Sequence, residues 1–448
     1  MNATSATLAC AVLFFLGTAD QVFALRIQGV NVRIANLLLA AGLVTWLWTR
    51  RTGSMRDVTA LLIAWLPFLV LYGAAAVASD APWLTLLKLS WFAFNFVAAF
   101  AWCRLFDPRD VVRGYFAAFL LVSAVIAVDF MSGFTRGPQY MIGFGQPNDL
   151  IAGHIVYRPH AFYYEPSYAA SGVAVAWALA LTPMGRTATT LSTMLIPLGL
   201  VALVVTMSRT GWLYAIAATV AWLLFGRGGA GSTLGRSWRK VMAMLAVTAL
   251  VGAALLMPEQ NRARFMMLLQ TLGWQQTLER ICPIVRDHVA FLDVQCLSHD
   301  ERLASVGRLR DAVPEQTSEG QRLASVKASI TSIMARPFLG SGVTPGDQRL
   351  IEPTASNVWL ELAVEGGVLA LAAFIWGLGF TLNHWRVFRP ENRLLEIVLV
   401  LYFLVAWPFL QTFPRLDQWL TFWVALTFAN SRFPVPRNDA PLPPQRQP

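Results

Sequence analysis

Apolar residues come in long runs separated by short polar stretches over most of the 448-residue chain. Each run approaches the roughly 20 residues that a helix needs to cross the hydrocarbon of a bilayer, where backbone groups must find partners within the protein. Runs near 5–25, 34–49, 58–78, 82–103, 111–131, 167–184, 188–206, 210–226, 240–257, 357–381, 394–411 and 416–431 predict about twelve transmembrane helices. Pro408 and Pro414 interrupt the last part of the pattern, since proline removes a helical donor and crowds the preceding turn. The first run lacks a basic start and leads straight into further spans, so it is expected to be retained and not cleaved.

Two polar stretches stand out between the runs. Residues 132–166 contain GPQYMIGFGQPNDLIAGHIVYRPHAFYYEPSYAA from Gly137, rich in Gly, Pro, His and Tyr. Residues 258–355 form a longer segment with helical pieces at 260–281 and about 318–336. It has few consecutive apolar residues to bury alone, so it is expected to pack on the membrane helices and roof a cavity. The expected organisation is 1–257 with nine spans, 258–355 as a helical outer segment, 356–431 with three spans, and a Pro- and Arg-rich disordered tail at 432–448.

Composition fits this picture and charge orients it. The chain is 56% apolar and 13% charged, against roughly a quarter charged in soluble domains. Its net charge of +10 is unevenly spread. Seventeen Arg and Lys fall in alternate short loops and the tail, among them Arg50, Arg51, Arg104, Arg109, Arg227 and Arg389, while six fall in the opposite loops. By the excess of basic residues in cytoplasmic loops, both termini are cytoplasmic and 258–355 faces outward. The basic excess is therefore an orientation signal, and nucleic acid is not an expected partner. Trp83, Trp91, Trp212, Trp359, Trp419 and Trp423, near span ends, are expected to contribute to an interfacial aromatic belt.

Four cysteines divide by place. Cys10 and Cys103 sit in or beside spans as core thiols, while Cys282 and Cys296 both fall in the outer segment. An oxidising compartment permits a disulfide there, and we expect that bridge. His288 and His299 lie near it, but no CxxC-type spacing supports zinc, so no metal is expected.

Charged groups at the outer surface carry the candidate chemistry. Arg209 lies in TMSRTGW, where one span ends and the next begins; Arg322 lies in SEGQRLASVKASITSIMARPFLGSG; Arg158 precedes His160 and Glu165 in RPHAFYYEPSY. Guanidinium forks match phosphate oxygens and stay ionised, so several arginines around one cavity suit a diphosphate. Each arginine alone also fits snorkelling at the headgroup level. Glu165 before Pro166 reads equally as a helix start and as a proton acceptor beside His160. Asn357, Glu361 and Glu365 recur every four residues and so share one helix face. Carboxylates at membrane depth usually face a cavity or a partner; Glu361 is expected toward the cavity and Glu365 against an Arg. Asp20 and Lys88 also fall inside spans, where a buried pair between them is expected. Walker-type loops, GxGxxG after a strand and HExxH are missing, which argues against ATP hydrolysis.

In order along the chain, these pieces resemble the O-antigen ligase/polymerase superfamily of bacterial membrane glycosyltransferases. RPHAFYYEPSYAA is similar to the Arg…Phe…Glu-Pro-Ser region of repeat-unit polymerases. TMSRTGW is similar to the Ser-Arg-(Thr/Gly)-Gly at the head of a span, and GQRLASVKASITSIMARPFLGSG to the Gly-Arg…Ala…Pro-x-x-Gly-x-Gly pattern. SNVWLELAVEGGVLALAAF is similar to the (His/Ser)-Asn-x-x-Leu-Glu helix. Together they cover about 158–375. The resemblance implies an all-α, GT-C-like polytopic fold. It also implies metal-independent inverting transfer from undecaprenyl-diphosphate-linked oligosaccharide in the bacterial inner membrane, without a cofactor.

Carried over, Arg209 and Arg322 bind the diphosphate, with Arg158 beside them, and Ser356, Asn357 and Tyr168 line the substrate cavity. Ligases usually place His before Asn at the late helix, whereas here the pair is Ser356–Asn357. Serine cannot replace imidazole as a base near neutral pH, so Glu165 is the nominated base, His160 second, with Glu361 also in the catalytic set. The missing His and the EPSY segment point to a repeat-unit polymerase, a class that can work beside a chain-length regulator. An O-antigen ligase acting on lipid A–core is the alternative. A lipid-glycan flippase is the reading from another class, but its usual six-plus-six division is not seen here.

Overall fold

The computed structural model describes residues 2–18, 24–27, 30–49, 54–135, 141–151, 154–163, 166–206, 208–225, 318–343, 357–385, 387–389, 392–407 and 416–431. For 24–27, 30–32, 54–56, 133–135, 144–158, 209, 318–324 and 406 it describes the backbone alone. The ninth expected span, the remainder of 258–355, the tail, Asp20, Glu165, Ser356, Cys282 and Cys296 lie outside the described residues.

Helices dominate what is described. They are α1 Ala3–Thr18, α2 Ile34–Thr49, α3 Ser54–Ala75, α4 Pro82–Leu105, α5 Pro108–Thr135 and α6 Pro166–Leu181. They continue as α7 Thr189–Val205, α8 Arg209–Phe225, α9 Ser318–Ala335, α10 Val358–His384, α11 Arg393–Leu401 and α12 Leu416–Asn430. Five stretches, Asp57–Ala78, Pro82–Leu105, Pro108–Ser132, Pro183–Val205 and Val358–His384, are helical, long and apolar enough to cross a membrane. The chain is a many-helix membrane protein. Proline opens α4, α5 and α6, where its missing N–H removes no helical bond. The helix α11 runs on into a π-turn at Tyr402–Ala406, a local widening of the helical ladder.

Two antiparallel hairpins were not anticipated. Strands β1 Ala24–Ile27 and β2 Val30–Arg33 pair after α1. Strands β3 Phe144–Ile151 and β4 His154–Ala161 pair after α5, with Gln146 opposite Arg158 and two irregularities in register. Asp129, fully buried near the end of α5, fastens the second hairpin: Oδ1 accepts from Ile142 N at 2.6 Å and Oδ2 from Gly143 N at 3.0 Å.

The core between α3, α4, α10 and α12 is aromatic. Trp65 meets Phe68, Phe92, Phe96, Phe374 and Trp419 with ring centroids 4.7–6.1 Å apart. Lipid tails are as apolar as these rings, so the gain here comes from close packing, with edge-to-face pairs adding about 0.5–1.5 kcal/mol each. Trp212, Trp419 and Trp423 are buried, so these three belong to the core and not to the interfacial belt; Trp83 is 64% exposed. Trp423 Nε1 donates to Phe96 O at 3.0 Å and Trp212 Nε1 to Leu203 O at 2.6 Å, which answers the need of a buried indole for a partner.

Ion pairs sort by end. At one end of the bundle Asp57, from the start of α3, meets Arg104 from the end of α4, and His384 Nε2 from the end of α10 lies 3.5 Å away. At the other end, Arg336 donates to Ala78 O and Val343 N donates to Thr85 Oγ1 at 2.9 Å. The segment after α9 is thus tied to the tip of the α3–α4 hairpin.

Candidate functional site

Three neighbouring groups of side chains occupy the end of the bundle that carries the α9 segment. Each is built by a different set of helices.

The first sits where the β3–β4 hairpin hands over to α6. Tyr163 N donates to His160 O at 3.0 Å, and the ring Nδ1 of His160 lies 2.6 Å from Tyr163 O. This double link, on a histidine only 3% exposed, closes the turn at 160–163 ahead of α6. Tyr168 is buried in the first turn of α6. Arg158 lies on β4 and Arg209 is the first residue of α8. The starts of α6 and α8 adjoin: a Cβ on Gly211 would lie 2.7 Å from that of Ala170, so glycine allows the contact.

The second group was not singled out from the sequence. Asp417, in the first turn of α12, is 8% exposed and Gln418 is 2% exposed. Thr421, one turn on, has its hydroxyl 3.3 Å from Tyr115 Oη. Burial pushes the Tyr163 phenol well above its usual range, and the nearby Asp417, Tyr115 and Tyr402 push it further. Burial pulls the Arg33 guanidinium down while Asp417 acts to raise it. A buried acid, a half-buried arginine and three phenols therefore share one neighbourhood near the start of α6. The signal available in the sequence was an Asp at the head of an apolar run, masked by the more conspicuous Arg415.

The third group has the clearest geometry. Asn357 caps α10, its Oδ1 accepting from Trp359 N at 2.8 Å and Leu360 N at 3.4 Å. Glu361 follows in the first turn, where helix dipoles favour a carboxylate. Lys88 of α4 reaches across, with Nζ 2.6 Å from Glu361 Oε1 and 2.8 and 2.7 Å from the two oxygens of Glu365. Tyr72 of α3 donates to Glu365 Oε2 at 2.5 Å. Glu365 is thus held by Lys88 and Tyr72, and Lys88 is engaged by both glutamates; Asp20, its expected partner, lies outside the described residues.

A break in α10 sets this group's position. Gly367 has φ 73° and ψ 174°, so the helix stops and restarts there. The turn after α9 fills the gap: Ser341 N and Gly342 N donate to Val364 O and Glu365 O at 2.8 and 2.9 Å, and Val368 N donates to Pro337 O at 2.8 Å. Every backbone group named is satisfied within the protein, as irregular backbone at membrane depth requires. A Cβ on Gly367 would lie 2.1 Å from Phe338 O, so both the turn and the positive φ call for glycine. Arg322 lies on α9, whose Ser325 and Ser329 are buried and which packs along α10. Position 322 falls three residues before Ser325 and seven before Ser329, on that same helix face.

The sequence-nominated residues thus divide between two neighbourhoods. His160, Tyr168 and positions 158 and 209 gather at the starts of α6 and α8, while Asn357, Glu361 and position 322 gather along α9 and α10. The two are joined by a row of rings in which Tyr214 of α8 stands 6.2 Å from Tyr402, Tyr402 6.1 Å from Trp407, and Trp407 5.6 Å from Trp359. Among the described residues, no group of three or more His, Cys, Asp or Glu converges as metal ligands would. Cys10 and Cys103 are buried free thiols.

A family model described as O-antigen ligase matches residues 194–375, and one described as WcaD colanic acid polymerase matches residues 94–271. A search of the curated proteins found no match. The first match takes in Arg209, α9, the α10 break and both glutamates; the second takes in the β3–β4 hairpin and the EPSY turn. The two matches overlap at 194–271 and follow the order of the motifs, and together they support the O-antigen ligase/polymerase superfamily for this chain.

Proposed function

We propose that the protein is a polysaccharide repeat-unit polymerase working at the outer face of the bacterial inner membrane. It transfers a growing glycan from its undecaprenyl diphosphate to a lipid-linked acceptor unit, with inversion at the anomeric carbon. The acceptor hydroxyl loses its proton as its oxygen attacks the anomeric carbon. The bond to the diphosphate breaks, and its electron pair leaves with the lipid diphosphate. Arg209 and Arg322, with Arg158 beside them, bind the diphosphate and stabilise the charge developing on it. The proton acceptor is drawn from Glu165, His160 and Glu361. Tyr168, Ser356 and Asn357 line the substrate cavity. The alternation of basic loops supports cytoplasmic termini and an outward 258–355 segment, in which Cys282 and Cys296 form a disulfide.

The observation that carries this reading is the sequence of motifs ending in Ser356–Asn357. A hydroxyl stands where ligases usually have imidazole, and an EPSY turn precedes it. The ligase reading draws on the description attached to the 194–375 match, and differs in its acceptor, lipid A–core. Arg209→Ala and Arg322→Ala variants, inserted normally in a host deleted for the gene, are expected to lose polymer. Normal polymer from both would sink the mechanism.

A further inference from the structure

A cleft lies between α1 and α2 at the end of the bundle opposite α9. Two close contacts shape it. A Cβ on Gly114 would lie 2.4 Å from that of Cys10, and one on Gly42 would lie 2.5 Å from Cε3 of Trp102. Glycine thus lets α1 settle on α5 and α2 on α4, and a gap remains between the two pairs. Its volume is about 960 Å³, within the range of pockets that hold small molecules, about 300–1,000 Å³. Ala3, Ala6 and Ala9 line one side, Ala41, Gly42 and Thr45 the other, and Trp102 of α4 the base. Leu8, Leu37 and Val44 on the same two helices are 60–64% exposed, so the cleft opens toward the bilayer. Charge gathers at its mouth, where α4 gives way to α5: Asp107, Arg109, Asp110 and Arg113 all border it. Asp110 is 7% exposed and accepts from Thr7 Oγ1 at 3.1 Å. Arg113, with its side chain 47% exposed, stands 4.0 Å from Asp110 Oδ1. Asp107 accepts from Arg109 N at 2.8 Å, and a carboxylate has capacity for further donors.

We infer that the cleft holds one phospholipid whose headgroup carries a phosphate and a primary ammonium, phosphatidylethanolamine, with its acyl chains between α1 and α2. Both signs of charge are present at the mouth, so a ligand of one sign would meet like charge there, which disfavours it. A headgroup carrying both signs suits it. Arg113 and the first turn of α5, where helix dipoles favour an anion, bind the phosphate, and Asp107 accepts from the ammonium. Trp102 lies about 7 Å of helix below Asp107, the level of the glycerol ester carbonyls. Its Nε1 is buried and makes no hydrogen bond of ordinary geometry, with the Cys10 thiol, a weak acceptor, near it; an ester carbonyl offers a stronger one. The side formed by Ala3 to Ala9 is about 9 Å long, a little over half the depth of one leaflet in a hydrocarbon layer of roughly 30 Å. So short a seam suits the upper part of acyl chains better than a whole helix of a second copy. The site is remote from the outer-face chemistry and does not depend on the transfer reading.

The test uses the full-length protein purified in a mild detergent and supplied with lipids of matched acyl chains. Native mass spectrometry counts the lipid bound per chain, and thermal unfolding checks the fold. Wild type is expected to bind one phosphatidylethanolamine. Phosphatidylcholine lacks an ammonium N–H and phosphatidylglycerol lacks the cation, so each is expected to bind about tenfold or more weakly, the worth of one charge-assisted hydrogen bond. Ala41→Trp fills the cleft from an exposed position on its side. It is expected to bind phosphatidylethanolamine at least about tenfold more weakly, while unfolding within about 2 °C of wild type in lipid-free detergent, as exposed substitutions do. Should that variant fail to fold, Arg113→Gln at the exposed rim is expected to weaken binding by about tenfold. Equal binding of the three lipids, or undiminished phosphatidylethanolamine in the variants, would overturn the inference and leave an unselective lipid coat. A change from dimer to monomer on Ala41→Trp would also overturn it, with the helix of a second copy as the occupant.

Discussion

Two ion clusters sit at opposite ends of the same three helices, α3, α4 and α10, and they are built differently. At one end Asp57 meets Arg104, with His384 alongside, and these side chains are 24–34% exposed. At the other, Lys88 is shared by Glu361 and Glu365, with Tyr72 closing the set and exposure falling to 8% at Glu365. The first is one acid and one arginine in contact with water, which is enough to pin helix ends. The second joins two carboxylates to one lysine, with less water and a phenol on one carboxylate. Glu361 is among the proposed proton acceptors, whereas Asp57 is not.

The largest expected difference between the two ends is in turnover. Glu361→Gln should cost about 10²–10⁴-fold in kcat, while Asp57→Asn should leave kcat within about twofold, both read on the same reconstituted enzyme. Next come the arginines: Arg209→Ala or Arg322→Ala should cost on the order of 10²–10³-fold in kcat, the loss met when one donor to a developing anion is removed. If Asp57→Asn proved as damaging as these, the contrast between a structural and a chemical end would be lost.

Stability should separate the ends in the same order. Removing Lys88 takes away the ammonium that two carboxylates share in a place with little water, and breaking a buried pair in this way costs about 3–5 kcal/mol. Gly367→Ala forces a positive φ on a residue with a Cβ and pushes it into Phe338 O, a strain of about 1–3 kcal/mol. Asp57→Asn should cost about 0–1 kcal/mol, as exposed pairs do. Thermal unfolding in one detergent would rank all three, and a Gly367→Ala protein as stable as wild type would contradict the account of the α10 break.

How much of this was legible in the sequence depends on the force involved. Apolar runs fell on the five described helices long and apolar enough to span a membrane, because crossing a bilayer imposes a length and a composition that few other structures share. The same rule hid the identity of their faces. Lipid and protein interior are equally apolar, so Trp419 and Trp423 read as belt residues although they fill the core. The hairpins escaped because their strands sit among glycines and prolines, and β3 and β4 pair with irregular register around Pro147 and Pro159. Charge partners were legible in kind but not in identity. The four-residue spacing put Glu361 and Glu365 on one face, and depth marked Lys88 as needing an acid. Which acid depended on how α4 packs near α10, a tertiary fact absent from local pattern. Asp417 and Arg33 were missed for the same reason: their meaning comes from the phenols assembled around them.

The most direct test of the central claim is product formation by purified protein in liposomes supplied with undecaprenyl-diphosphate-linked repeat units, with lipid A–core added to half of the reactions. The account predicts a ladder of lengthened glycans in the absence of lipid A–core. Product formed only when lipid A–core is present would make the protein a ligase, and intact substrate in both halves would contradict glycosyl transfer altogether.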